Sequence, residues 1–216
     1  MPANEPRFWD RLARGYAKSR ITDVAGYERT LESVKRHLKS SDEVYEFGCG
    51  TGATALRLAP HVAHFLATDF SSEMIAIARE RAAAESHANL AFEVGSPDAS
   101  LPQSAFDAVL GFNVLHLVAE RAAVMKAVHA ALRPGGLLIT KTPCLKEANP
   151  LLRLAASLMQ AIGQAPYLGW FSAEALEREI SAAGFEIVER ARHGARKEPR
   201  IFLVARKVEP RERSAE

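Results

Sequence analysis

Hydrophobic and polar positions along the 216-residue chain follow two rhythms, and the change between them predicts the elements. In residues 1–40, Phe8, Trp9, Leu12 and Tyr16 recur at helical spacing, and Tyr27, Leu31, Val34 and Leu38 repeat the pattern. Two partly polar helices are expected there, each with its stripe packed on the core. From Glu43 onward, short apolar runs alternate with long amphipathic stretches. The runs Glu43–Phe47, His64–Thr68, Leu90–Val94, Phe106–Phe112 and Gly136–Thr142 have the composition of buried strands. Helices are expected at Thr54–Ala59, Ser71–Glu85 and Ala119–Leu132. The second opens on Ser71 or Ser72 as N-cap with Glu73 in its first turn, and the third closes at Arg133-Pro134-Gly135-Gly136. Strands alternating with helices of this length imply right-handed crossovers and a mainly parallel, doubly wound α/β sheet.

After Thr142 the rhythm breaks. Leu151, Leu152, Leu154, Ala155, Leu158, Met159 and Ile162 predict an apolar helix, followed by the interrupted run Gly163 to Gly169. A helix at Ala173–Ala183, capped by Ser172 and stopped by Gly184, leads to strands at Phe185–Glu189 and Arg200–Ala205. The loop between those strands is too short for a helical crossover, so an antiparallel pair is expected. No repeat or linker divides the chain. The expected organisation is one domain over 1–216: an N-terminal helical lid (1–40), a binding core (41–143), an apolar lid insertion (144–171) and a final helix and strand pair (172–206).

Composition narrows the class. With 48% hydrophobic residues, and 28 Lys and Arg against 26 Asp and Glu, the net charge of +2 does not by itself point to nucleic acid or a membrane surface. Cys49 and Cys144 stand 95 residues apart, which excludes a disulfide framework and a paired metal or redox motif. The N-terminal run is polar and lacks the apolar centre of a leader, and no apolar stretch reaches the ~20 residues needed to span a bilayer, so a cytoplasmic location is expected.

The segment Glu46-Phe47-Gly48-Cys49-Gly50-Thr51-Gly52 joins the first strand to the first helix, where glycines allow a sharp turn and close approach of a ligand. Gly48, Gly50 and Ala53 also satisfy the dinucleotide fingerprint G-x-G-x-x-G/A. The extra Gly52, the acid Glu46 before the loop and Asp69 at the end of the second strand favour a different ligand. Glu46 would repel a diphosphate and attract a cation, while Asp69 can accept hydrogen bonds from ribose hydroxyls. The pattern points to a ribonucleoside that carries positive charge.

With EFGCGTG, LATDFSSEM, FDAVLGFNVLHLV and LRPGG in this order, the sequence resembles the class I S-adenosylmethionine-dependent methyltransferases over residues 8 to 206, nearest to those of small-molecule, quinone type. The resemblance implies a seven-stranded Rossmann-like sheet with an antiparallel last strand, and S-adenosyl-L-methionine as cofactor with S-adenosyl-L-homocysteine as product. It also implies that Gly48, Cys49, Gly50 and Gly52 admit the methionine part, with Glu46 steadying the loop or facing the ammonium. Asp69 would hold the ribose and Phe70 would border the adenine. Family members often place an acid directly after the third strand to meet the adenine amino group; here Ser96 stands in that place and Asp98 follows two residues later. Asn113 would touch the cofactor. His116 would lie near the methyl-transfer path as a base with an ordinary pKa near ~6.5, or simply pack in its turn.

The implied roof over the site comprises the N-terminal helices and residues 144 to 171, with Trp9, Tyr16, Tyr167 and Trp170 as candidate acceptor contacts. Its apolar, aromatic character suits a small organic methyl acceptor. A nucleic-acid acceptor is disfavoured: nine Lys or Arg residues fall between Arg190 and Arg213, but Glu198, Glu209 and Glu212 are interleaved. Pro143-Cys144 lies after the fifth strand, not the fourth where C5-cytosine methylases place their nucleophile. An RNA or protein methyltransferase, an NAD(P)-dependent oxidoreductase and a silent cofactor-binding protein are the alternatives. No metal is expected, and monomer and homodimer are equally compatible with the sequence.

Overall fold

A computed structural model describes residues 6–85, 87–96, 101–147, 156, 159, 165–194 and 199–208. Seven strands form one sheet: β1 (Glu43–Phe47), β2 (His64–Asp69), β3 (Leu90–Val94), β4 (Phe106–Phe112), β5 (Leu132–Pro143), β6 (Phe185–Ala191) and β7 (Arg200–Lys207), in the order β3-β2-β1-β4-β5-β7-β6. Pairings from β3 through β5 are parallel, and β7 runs antiparallel between β5 and β6. The chain reverses direction across the sheet at β1 and β4, so a crevice opens at their carboxyl ends.

Helices α1 (Pro6–Lys18), α2 (Val24–His37), α3 (Ala53–Leu58), α4 (Ser72–Glu85), α5 (Arg121–Ala131) and α6 (Ala173–Ala182) cover the sheet. Period-two alternation divides the core between its faces. Tyr45, Val109, Leu138, Ile201 and Leu203 pack with α5 and α6. Val44, Leu110, Ile139, Phe202 and Val204 pack on the other face with α2, α3 and α4. Burying these runs on both faces is what makes strands of them.

Two expectations change. The N-terminal stripe does not join the main core, since Leu12 and Tyr16 are 45% and 53% exposed; in α1 it is Ala13 that is buried, against Met74 and Ile77 of α4. Strand β5 begins at Leu132 rather than Gly136. Leu132 pairs with Phe106 before a register shift, so the Pro-Gly-Gly turn is absorbed as an irregularity within the strand. In the apolar helix expected at 151–162, Met159 of the stripe is helical and exposed, and Ala156 beside the stripe is helical and buried; the rest of the stripe lies outside the described residues.

Candidate active site

The turn after β1 is shaped by what surrounds each glycine. Gly50 has φ +55°, and a Cβ there would meet nothing closer than Tyr16 Cε1 at 3.8 Å, so the loop presents bare backbone to open space. Gly52 differs: with φ +77°, its Cβ would strike Phe92 at 2.7 Å and Ala78 at 3.0 Å. Gly52 therefore seats α3 against β3 and α4, while Thr51 and Ala53 on either side of it line the cavity. Gly48 lines the cavity edge beside Val114.

A cavity of about 1120 Å³ lies along this edge of the sheet. It brings together Trp9, Tyr16, Glu46, Gly48, Cys49, Gly50, Asp69, Phe70, Ser96, Asn113 and His116. Asp98 falls outside the described residues. Tyr167 and Trp170 are not among the lining residues, whereas Pro166 and Leu168 are. Tyr167 is drawn by a hydrogen bond toward Arg121, whose guanidinium also covers the Phe171 ring at 4.4 Å. The segment is held to the β4 loop by the Gly169 N–H donating to the His116 carbonyl at 2.7 Å.

Asp69 ends β2 buried, and its two oxygens accept the Gly50 and Ser71 N–H groups, each at 2.9 Å. The carboxylate thus braces the glycine loop, and each oxygen keeps a second lone pair for another donor. Burial, opposed by those two hydrogen bonds, raises its pKa. Glu46 is the more perturbed acid. It is 2% exposed, its Oε2 has no hydrogen-bond partner among the described residues, and burial together with Asp69 pushes its pKa up to about 8. A buried carboxyl beside another acid needs a cation or a proton. Cys49 is pushed well above the ordinary thiol range by burial, Glu46 and Asp69, so it is inert as a nucleophile.

Asn113 follows β4 with φ +53°, its N–H donating to the Lys141 carbonyl at 2.7 Å. His116 sits in the next turn, with Nδ1 3.3 Å from Thr142 Oγ1. Burial, with Arg200 nearby, lowers its pKa to about 4. This corrects the expectation of an ordinary imidazole: the ring is neutral at pH 7 and a weak base. Cys144 is fully buried with its thiol pushed up to about 12, mainly by burial, so Pro143-Cys144 carries no nucleophile.

Four supporting residues escaped the sequence reading. Arg81 of α4 donates to Thr51 O at 3.1 Å, Thr51 Oγ1 at 2.7 Å and Ala17 O at 2.9 Å, tying the glycine loop to the end of α1. Asp10 accepts from Ser71 Oγ at 2.6 Å and Glu73 N at 3.1 Å, joining α1 to the start of α4. Lys141 and Arg200 line the cavity on the β5 side. Lys141 carried a readable signal, a lone charge inside Leu137-Leu138-Ile139-Thr140-Lys141-Thr142. Part of the basic C-terminal stretch is neutralised: Arg190 pairs with Glu177 at 2.8 Å and Arg192 with Glu147 at 2.6 Å. No helix among the described residues is long and apolar enough to cross a membrane, and none of their acid, His or Cys groups cluster as a metal site.

A family model described as "Methyltransferase domain" matches residues 45–138. The chain is 29% identical over 188 residues to a phosphatidylethanolamine N-methyltransferase of Cereibacter sphaeroides, covering 83% of this chain and 90% of that protein. It is 26% identical to a demethylmenaquinone methyltransferase of Symbiobacterium thermophilum, covering 67% and 59% respectively. Across these and one further curated relative, the matched region spans between 41% and 90% of the relative's length. The fold matches the crystal structure of a SAM-dependent methyltransferase from Methanosarcina mazei with TM-score 0.68 and 23% identity, covering 82% of this chain and 98% of that one. With the strand order, the glycine loop and the paired acids already in place, the chain carries a methyltransferase domain over residues 45–138 and is similar in sequence and fold to S-adenosylmethionine-dependent methyltransferases.

Proposed function

We propose that the protein transfers a methyl group from S-adenosylmethionine to a small organic acceptor with an apolar or aromatic body. The observation that carries this reading is Glu46: a buried carboxyl with a raised pKa and an unpartnered oxygen, in the wall of a cavity that also holds Gly50 and Asp69. That donor set fits the cofactor. Glu46 would meet the ammonium directly or through the loop, the bare Gly50 backbone would lie beside the methionine part, and Asp69 would accept from the ribose hydroxyls. Phe70 would border the adenine, with Ser96 near its amino group. When bound, the cofactor supplies an activated methyl on a sulfonium.

The chain's own work is then alignment and exclusion of water. Asn113 and His116 stand at the β4 edge, between the loop and the apolar wall of Val118, Pro166 and Leu168. A neutral His116 accepts a hydrogen bond from an acceptor N–H or O–H and so can orient its lone pair. Its low pKa makes it a poor stable proton carrier, so acceptors that react without a strong base are favoured.

Calorimetry with S-adenosylhomocysteine and with NADPH tests the cofactor assignment. Micromolar or tighter binding of the first and none of the second is expected, and the reverse would replace methyl transfer with hydride chemistry. Labelled S-adenosylmethionine incubated with fractionated cell extract should then place label in the small-molecule fraction. Label confined to RNA or protein would overturn the acceptor class, and binding without transfer to any fraction would mark a silent cofactor-binding protein.

A further inference from the structure

Lys141 is an ammonium in an unusual place. It lies near the end of strand β5, is 8% exposed, and lines the cavity. Its Nζ donates to Thr30 Oγ1 of α2 at 3.0 Å. The Thr30 hydroxyl spends its own proton on the Gly26 carbonyl at 2.7 Å, so His193 Nδ1, 3.1 Å from the same oxygen, must be a donor. The His193 ring in turn packs on Phe202 with centroids 4.6 Å apart. This buried relay fixes where the lysine head sits and, among the described residues, uses one of its three N–H bonds.

Register brings a second cation beside it. Pro143 pairs with Arg200, and the two-residue step from Lys141 to Pro143 puts Lys141, Pro143 and Arg200 on one face. All three line the cavity. After burial, the groups acting on Lys141 are Arg200, Asp23 and Arg29, and Arg200 also acts on His116. Asp23 is the acid of this set and also lines the cavity: its Oδ1 accepts the Gly26 N–H at 2.8 Å, and its buried Oδ2 has no hydrogen-bond partner among the described residues. Among the described charged groups that act on Lys141, two are cations and one is an acid. The acids Glu46 and Asp69 lie at the other end, beside the glycine loop. β5 is two strands from β1 in the sheet, roughly 10 Å away. Lys141 and Arg200 thus stand in the cavity wall apart from the two acids of the glycine loop.

We propose, resting on the methyltransferase reading above, that Lys141 and Arg200 form an oxyanion subsite that selects acceptors carrying a carboxylate or phosphate next to an apolar body. In a partly dry wall, charge-assisted hydrogen bonds to an oxyanion are strong and directional. An uncharged acceptor would leave the lysine head facing apolar matter with part of its hydration removed. The neighbouring Pro143, Pro166 and Leu168 supply the apolar contact. Lys141 acts as a specificity residue, and the methyl-transfer chemistry itself is unaltered.

Calorimetry on the protein saturated with S-adenosylhomocysteine tests this with three probes of similar shape: phenyl phosphate, benzoate and phenol. At least one oxyanion probe should bind tenfold or more tighter than phenol, and the ratio of phenyl phosphate to benzoate assigns phosphate or carboxylate. Lys141→Met should bring the anion affinity down about tenfold, toward that of phenol, while Lys141→Arg retains most of it. Equal affinity for charged and uncharged probes in the wild-type protein overturns the proposal whatever the variants do. So does a Lys141→Met protein whose loss falls on S-adenosylhomocysteine, because the lysine would then serve the cofactor's own carboxylate. Failure of S-adenosylhomocysteine to bind wild type would overturn the methyltransferase reading instead, and the same three probes on the ligand-free protein still report on the cationic wall.

Discussion

Glu46 and His116 are neutral at pH 7 for the same reason, burial, but they answer pH in opposite senses. A Glu46 pKa of about 8 means that a cationic ligand binds best once the carboxyl has ionised. S-adenosylhomocysteine affinity should therefore rise with pH and level off near 8, by at most about tenfold per pH unit; a flat profile from pH 6 to 8.5 by calorimetry would remove Glu46 from the ammonium site. Glu46→Gln should flatten that profile. Asp69→Ala should weaken cofactor binding by about 1 to 3 kcal/mol. Because Asp69 also holds the Gly50 and Ser71 N–H groups, the same variant should melt lower, and Asp69→Asn should recover part of the melting temperature but less of the affinity. For His116, the methyl-transfer rate should show no inflection near pH 6.5 assignable to the ring, since its pKa of about 4 lies well below. A midpoint near 6.5 that vanishes in His116→Ala would show a more solvated imidazole than the structure has.

At the scale of elements, the site depends on how α1 and α4 are tied to the glycine loop. Arg81 spans Thr51 and the end of α1 with three hydrogen bonds. Arg81→Met keeps much of the side-chain bulk and removes those bonds, so α1 should loosen while the sheet stays intact. The expected result is a loss of about 1 to 2 kcal/mol in cofactor affinity, with faster proteolysis within residues 6–18 and little change in the global melt. A variant equal to wild type in both measurements would make the tie incidental. Helix α6 offers a contrasting case: Ser172 Oγ accepts the Ala175 N–H at 3.3 Å, and Ser172→Ala should cost about 1 kcal/mol of stability without touching cofactor binding.

For the whole molecule, the buried ionisable groups set the pH dependence of stability. Glu46 has a folded pKa above its usual 4.5, so the native state binds more protons than the unfolded chain between pH 4.5 and about 8, and stability falls as pH rises through that window. His116, with a folded pKa below 6.5, works the other way: the unfolded chain binds more protons between about 4 and 6.5, and stability is lost on acidification through that range. His193 is lowered by burial and Lys141 and adds in the same direction as His116. The opposition from these rings fades above pH 6.5 and is gone by about pH 7.5, where the unfolded-chain imidazoles have lost their protons. The Glu46 contribution should fall by about 1.6 kcal/mol between pH 6.5 and 8, the slope easing to half a proton at its pKa, and Glu46→Gln should abolish that decline. Denaturant melts at several pH values read both. Saturating S-adenosylhomocysteine should also suppress the decline in wild type, by giving the carboxylate a cation.

What the sequence determined by itself is what local pattern controls. Strand runs, crossover lengths, the capping serines at 71 and 172, and the glycine loop with Glu46 and Asp69 beside it are all legible, because each depends on periodicity or on residue types a few positions apart. Even the antiparallel pairing of β6 and β7 follows from a short loop. The tertiary structure decided everything that depends on which face meets which. It packed Gly52 against Phe92, turned Tyr167 toward Arg121, and left the α1 stripe largely exposed. It shifted two ordinary side chains, Glu46 and His116, far from their free pKa values, since desolvation is set by neighbours remote in sequence. And it joined Lys141 to Arg200, 59 residues later, through the antiparallel register of β5 and β7. Charge at the acceptor end is a property of that register, which no local stretch of the chain encodes.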